Sequence, residues 1–78
     1  MTEIHPFGKI ERLDNYLLRR GFAREKGGSI QFYLLVKERR TEHVVEIPLD
    51  DETNNLDLSE IANLRREEIL NKFKKYRT

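Results

Sequence analysis

Gly27-Gly28 leads directly into Ser29-Ile30-Gln31-Phe32-Tyr33-Leu34-Leu35-Val36, and this block constrains the fold more than any other part of the chain. Paired glycines reach the positive-φ region that a tight turn needs. The run after them alternates, with Ile30, Phe32, Leu34 and Val36 on one side and Gln31, Tyr33, Leu35 and Lys37 on the other. Apolar residues on both sides predict a central strand. Glu38-Arg39-Arg40-Thr41 reads as a polar hairpin turn. A further strand is expected from His43 to Leu49, with His43, Val45, Ile47 and Leu49 opposite Val44 and Glu46. Pro48 lacks a backbone donor, which assigns that strand to a sheet edge.

The flanks read as helical. Residues 1–8 are expected to form an N-terminal tail closed by Pro6 and Gly8. Ile10, Leu13 and Leu17 recur at helical spacing between Lys9 and Arg20, beside Tyr16, while Glu11, Arg12, Asp14, Arg19 and Arg20 fill an outer face. Gly21 falls where a left-handed helix cap belongs, with Phe22 as its hydrophobic contact. Phe22 to Lys26 is then a short edge strand. Residues 50–58, rich in Asp and Asn, are expected to form an acidic, irregular, mobile loop. Ser59 is the expected N-cap of a second helix, with Glu60 in its first turn. Ile61, Ala62, Ile69, Phe73 and Tyr76 share one face of it, Leu64 and Leu70 fall off that face, and a break near Asn63 is consistent with this. Lys72, Lys74, Lys75 and Arg77 suit its C-terminal end. The expected fold class is α+β: one domain over residues 1–78, an α-β-β-β-α two-layer sandwich with two helices covering one face of a small antiparallel sheet.

Composition excludes several functions. At 78 residues the chain supports one small core, and without cysteine it has neither a disulfide framework nor a thiolate metal site. A net charge of +1 rules out a polycation, so any anion binding must come from local clusters. Membrane spans need about 20 consecutive apolar residues, and none is present. A cytoplasmic location and no membrane partner are therefore expected. His5 and His43 lack companions at metal-ligand spacing, and the Asp50–Asn55 stretch lacks the glycine and closing glutamate of an EF-hand. No metal, no cofactor and no catalytic constellation is assigned.

Lys26-Gly27-Gly28-Ser29-Ile30-Gln31-Phe32 resembles the Lys-Gly-Ser-His-His-Gln-Phe signature of HicA-type toxins, small mRNA interferases of α-β-β-β-α order. Gly21-Phe22 and Val45-Glu46-Ile47-Pro48 extend the resemblance, which covers roughly Lys9 to Pro48. Ser29 stands at that family's catalytic histidine position and Ile30 at the neighbouring one. The resemblance thus implies the fold and a nucleic-acid ligand without the imidazole chemistry. The same topology resembles double-stranded-RNA-binding domains, but here the second helix opens on Asp57, Ser59 and Glu60, which repel phosphate. Leu58–Ala62 followed by Arg65–Ile69 echoes a helix-turn-helix but lacks its glycine-bearing turn.

Two binding modes follow. The first is a non-catalytic nucleic-acid-binding accessory domain, with RNA ahead of DNA. It would use Arg19, Arg20, Arg24, Lys26, Lys37, Arg39 and Arg40, with Tyr33 stacking on a base. The second is a protein-interaction module of regulatory, antitoxin-like or inhibitory type, a homodimer above all. It would bind through Tyr33, Leu35 and Val44 on the sheet face the helices leave uncovered.

Overall fold

A computed structural model describes residues 3–76; Met1, Thr2 and Arg77 of the expected tail and basic terminus lie outside the described residues. The fold is α+β. Four strands come first: β1 (His5–Leu13), β2 (Tyr16–Arg24), β3 (Ile30–Glu38) and β4 (Val44–Leu49). They form one antiparallel sheet in the order β1-β2-β3-β4, each paired with its neighbour in sequence. Three helices follow: α1 (Asp51–Asn54), α2 (Leu58–Leu64) and α3 (Arg66–Lys74).

The first helix expected over Lys9–Arg20 is instead the β1–β2 hairpin, and the expected tail supplies the start of β1. Asp14 and Asn15 form a two-residue turn between the paired Leu13 and Tyr16, with Asp14 at φ 54°. Short Asx side chains tolerate that conformation, and it overrides the helical spacing of Ile10, Leu13 and Leu17. Gly21 caps no helix. It lies mid-strand in β2, opposite Pro6 and Tyr33. A Cβ there would fall 2.8 Å from Ile4 Cγ2 and 3.0 Å from Leu35 Cδ1, so the glycine makes room for its neighbours. The segment from Phe22 is consequently interior, and β1 takes the edge.

The central expectations hold. Gly27 and Gly28 turn the β2–β3 hairpin at φ +92° and +90°, closed by Glu25 N–H donating to Ser29 O at 2.8 Å. β3 is an interior strand and β4 is an edge containing Pro48. In register, Leu18, Val36 and Val45 form one row, and Arg20, Leu34 and Ile47 the next. These rows face the helices. Leu18, Leu34, Val36, Val45, Ile47 and Leu49 pack with Leu58, Ile61, Ala62, Ile69 and Phe73 in one core. The helical layer covers this face alone.

The expected acidic loop is mostly built. α1 occupies Asp51–Asn54, and Asp50 caps it by accepting from Thr53 N–H at 2.8 Å and from the Thr53 hydroxyl. These bonds, with Arg65 at 3.8 Å, hold the Asp50 carboxyl below its usual range. A depressed folded-state value contributes stability above the unfolded pKa of about 4 and loses it as pH falls through the folded value. Asp50→Asn is therefore expected to flatten the acid limb of a pH–stability curve below about pH 4; an unchanged limb would exclude the cap as its source.

The second helix starts at Leu58 after Asp57, one residue before the expected Ser59 cap. It breaks at Arg65 (φ −104°, ψ 21°), two residues beyond the expected break, and continues as α3. Ile61, Ala62, Ile69 and Phe73 are buried, whereas Leu64 and Leu70 are exposed as the pattern requires. Tyr76 is also exposed and stacks on His43 with centroids 4.1 Å apart. No helix among the described residues is long and apolar enough to cross a membrane.

Candidate nucleic-acid interface

The eight basic and aromatic residues expected to read nucleic acid do not converge. Arg19, Tyr33 and Lys37 share the uncovered sheet face by strand parity. Arg19 Nε donates to Gly8 O at 3.1 Å, across the irregularity where β1 shifts register between Phe7 and Glu11. Arg39 and Arg40 sit in the exposed turn at one end of the sheet, while Arg24 and Lys26 lie at the other.

Arg20 points to the helix side. Its guanidinium donates to Asn54 O at 2.8 Å and to Leu56 O, tying the α1–α2 connection to β2. It is an internal clamp, which corrects its expected role as a ligand contact. The planar fork can bond two carbonyls at once, and the low solvent access of the site makes each bond count.

Tyr33 is half-buried on the uncovered face between Gly21 and Pro48. Desolvation raises its hydroxyl pKa first, and the carboxylates of Glu25 and Glu46 raise it further, with Glu25 also hydrogen-bonded to it. A phosphate is unwelcome beside two carboxylates. Pro48 and Leu35 neighbour Tyr33 on this face, and Leu17 and Val44 lie two rows further along it, a composition suited to protein contact.

Aromatic residues gather elsewhere. Phe7, Phe22 and Phe32 come from three adjacent strands and meet on the helix-side face, beyond the point where Arg20 anchors the helical layer. Phe7 and Phe22 lie edge to face at 5.7 Å, Phe7 and Phe32 at 6.2 Å, and His5 tilts against Phe22 at 5.4 Å. None of the three belongs to the helix-covered core; all remain half-buried. Ile30, 51% exposed, and its partner Arg24 extend this shelf to the glycine hairpin, where Lys26 is also exposed. α1, with Asp51 and Glu52, follows Leu49, the β4 partner of Phe32, and puts negative charge on the shelf's other flank.

Arg24, Lys26 and Phe32 stood out in the sequence, but the shelf did not. Phe7 read as tail and Phe22 as a helix-cap contact, and only the pairing of His5 with Phe22 and of Phe22 with Phe32 unites them. The available signal was Asp14-Asn15 as a two-residue turn, followed by Tyr16, Leu18 and Phe22 at one parity.

A second recess, of about 330 Å³, lies at the opposite end among Asn15, Glu38, Arg40, Thr41, His43 and Tyr76. Its polar groups are chiefly structural: Thr41 donates its hydroxyl to Glu38 Oε1 at 2.9 Å, and Glu38 N–H donates to His43 O at 2.9 Å, closing the β3–β4 turn. His43 Nδ1 is buried without a hydrogen-bond partner among the described residues, beneath the Tyr76 ring. No group of three or more potential metal-binding side chains occurs among the described residues.

Comparison of the chain with protein-family models, curated proteins and solved structures finds no match, so the meaning of this surface rests on its own chemistry.

Proposed function

We propose that the protein is a non-catalytic binder of single-stranded nucleic acid. The observation that carries this reading is the shelf of Phe7, Phe22 and Phe32 beside Arg24 and Lys26. Half-exposed rings on a sheet offer unpaired bases a stacking surface, and base–aromatic stacks are worth about 1–3 kcal/mol each. The basic hairpin gives the phosphates a side to run along, away from Asp51 and Glu52. Duplex is the poorer ligand, because its bases are already stacked and α2 meets solvent with Asp57 and Glu60 at its start.

Fluorescence anisotropy with labelled mixed-sequence RNA and DNA, single-stranded and duplex, tests the reading. Single strands should bind with an affinity that falls as salt rises, by about 0.7 log unit per log unit of salt for each phosphate contacted. Phe22→Ala with Phe32→Ala should cost at least about tenfold in affinity. Arg24→Glu with Lys26→Glu, at exposed positions that leave the core alone, should lower both affinity and salt slope. Absence of binding at low salt, or full affinity in the folded hairpin variant, would overturn the assignment.

A further inference from the structure

The sheet face opposite the helices is self-complementary. Across β2, β3 and β4 its residues form three rows: Leu17, Lys37, Val44; Arg19, Leu35, Glu46; and Gly21, Tyr33, Pro48. Two of the rows end on β2 and β4 in groups that suit one another: Leu17 and Val44 are both apolar, and Arg19 and Glu46 are oppositely charged. Val44 is 45% exposed and Glu46 and Pro48 are exposed, while Leu17, Arg19 and Leu35 are half-buried.

We propose that this face joins two copies of the chain about a two-fold axis lying along β3 above Leu35. Rotation about that axis lays β2 of one copy over β4 of the other. Leu35 then meets Leu35, Arg19 meets Glu46 twice and Leu17 meets Val44 twice, while Pro48 lies over the Ile4 and Leu35 side chains that fill the space above Gly21. Facing sheets pack about 10 Å apart at a crossing angle near 30°, a gap that Arg and Glu side chains span from opposite walls. An isologous contact requires this reciprocity, each residue finding its complement on the same patch.

Two features favour a second copy over a nucleic acid here. Glu25 and Glu46 flank Tyr33 and disfavour phosphate. The edges discourage pairing by strand addition: β1 carries Pro6, charged Lys9, Glu11 and Arg12 and a broken register, and β4 carries Pro48. Self-association by way of a sheet therefore has this face as its route. One contact opposes it: Lys37 approaches its own symmetry mate near the axis.

Sedimentation equilibrium across a concentration series tests the arrangement. The native chain should dimerise, and Leu35→Glu should leave it monomeric with an unchanged circular dichroism spectrum. Arg19→Glu and Glu46→Arg should each weaken the dimer at least tenfold, whereas the two together restore it to within about threefold of the native value. Lys37→Leu should tighten it. A native chain that stays monomeric at high concentration, a charge exchange that fails to restore association, or a Lys37→Leu variant that weakens it would overturn the proposal. Loss of oligonucleotide binding in folded Arg19→Glu, without a change in mass, would assign the face to nucleic acid instead.

Discussion

Phe73→Ala is expected to remove a large share of the protein's folding free energy and to lower its melting temperature by more than about 10 °C. Phe73 is 1% exposed and stacks on Tyr16 at 5.6 Å, filling the space between α3 and the sheet. Truncation removes the ring's transfer energy and leaves a cavity bounded by backbone that cannot collapse, at a cost of about 3–5 kcal/mol. A domain of this size holds about 4–12 kcal/mol in all. Each kcal/mol shifts the melting temperature of so small a protein by about 4–8 °C, so the midpoint should fall by at least about 12 °C. The chain has no cysteine to form a disulfide, and no group of three or more potential metal-binding side chains occurs among the described residues, so neither absorbs the loss. Thermal denaturation followed by circular dichroism reads the effect directly. A fall below about 5 °C would mean that α3 contributes little to the cooperative unit.

Arg20→Met carries the second large effect, by another mechanism. Methionine keeps much of the apolar stem but leaves Asn54 O and Leu56 O without their donor. Bonds from a charged donor contribute about 1.5–3 kcal/mol, and an orphaned partly buried carbonyl adds to the cost. The damage should be local: amide exchange should quicken across Asn54 to Leu58, where the connection enters α2, before it quickens in β3. Arg20→Lys should recover only part of the stability, because a single ammonium cannot hold two carbonyls in the same planar fork. Uniform acceleration throughout the sheet would show instead that Arg20 supports the core as a whole.

Legibility of the chain divides at Gly27. Beyond it, Phe32 to Val36 and Val45 to Leu49 alternate cleanly, and every side chain in both strands lies on the face that alternation assigned. Before it, the spacing of Ile10, Leu13 and Leu17 satisfies a helix as well as the two strands actually present. Asp14-Asn15 decides between them, since it permits a reversal in two residues and leaves Leu17 and Leu18 on opposite faces. Gly21 misled for a related reason: its small size answers Ile4 and Leu35, contacts that no local window contains. The candidate site followed the same division. Arg24 and Lys26 flank a recognisable hairpin, while the aromatic shelf depends on the pairing of β1 that the helical reading had removed.

The order of elements has a consequence for biogenesis. A nascent chain extends from its N-terminus, so all four strands leave the ribosome before the helices that cover them. Pairing between sequence neighbours lets the hairpins close early, since each loop is short. Leu34, Val36 and Ile47 then await the emergence of Ile61, Ile69 and Phe73, which follow them out of the ribosome. Until those helices dock, the apolar side of the meander lacks its cover.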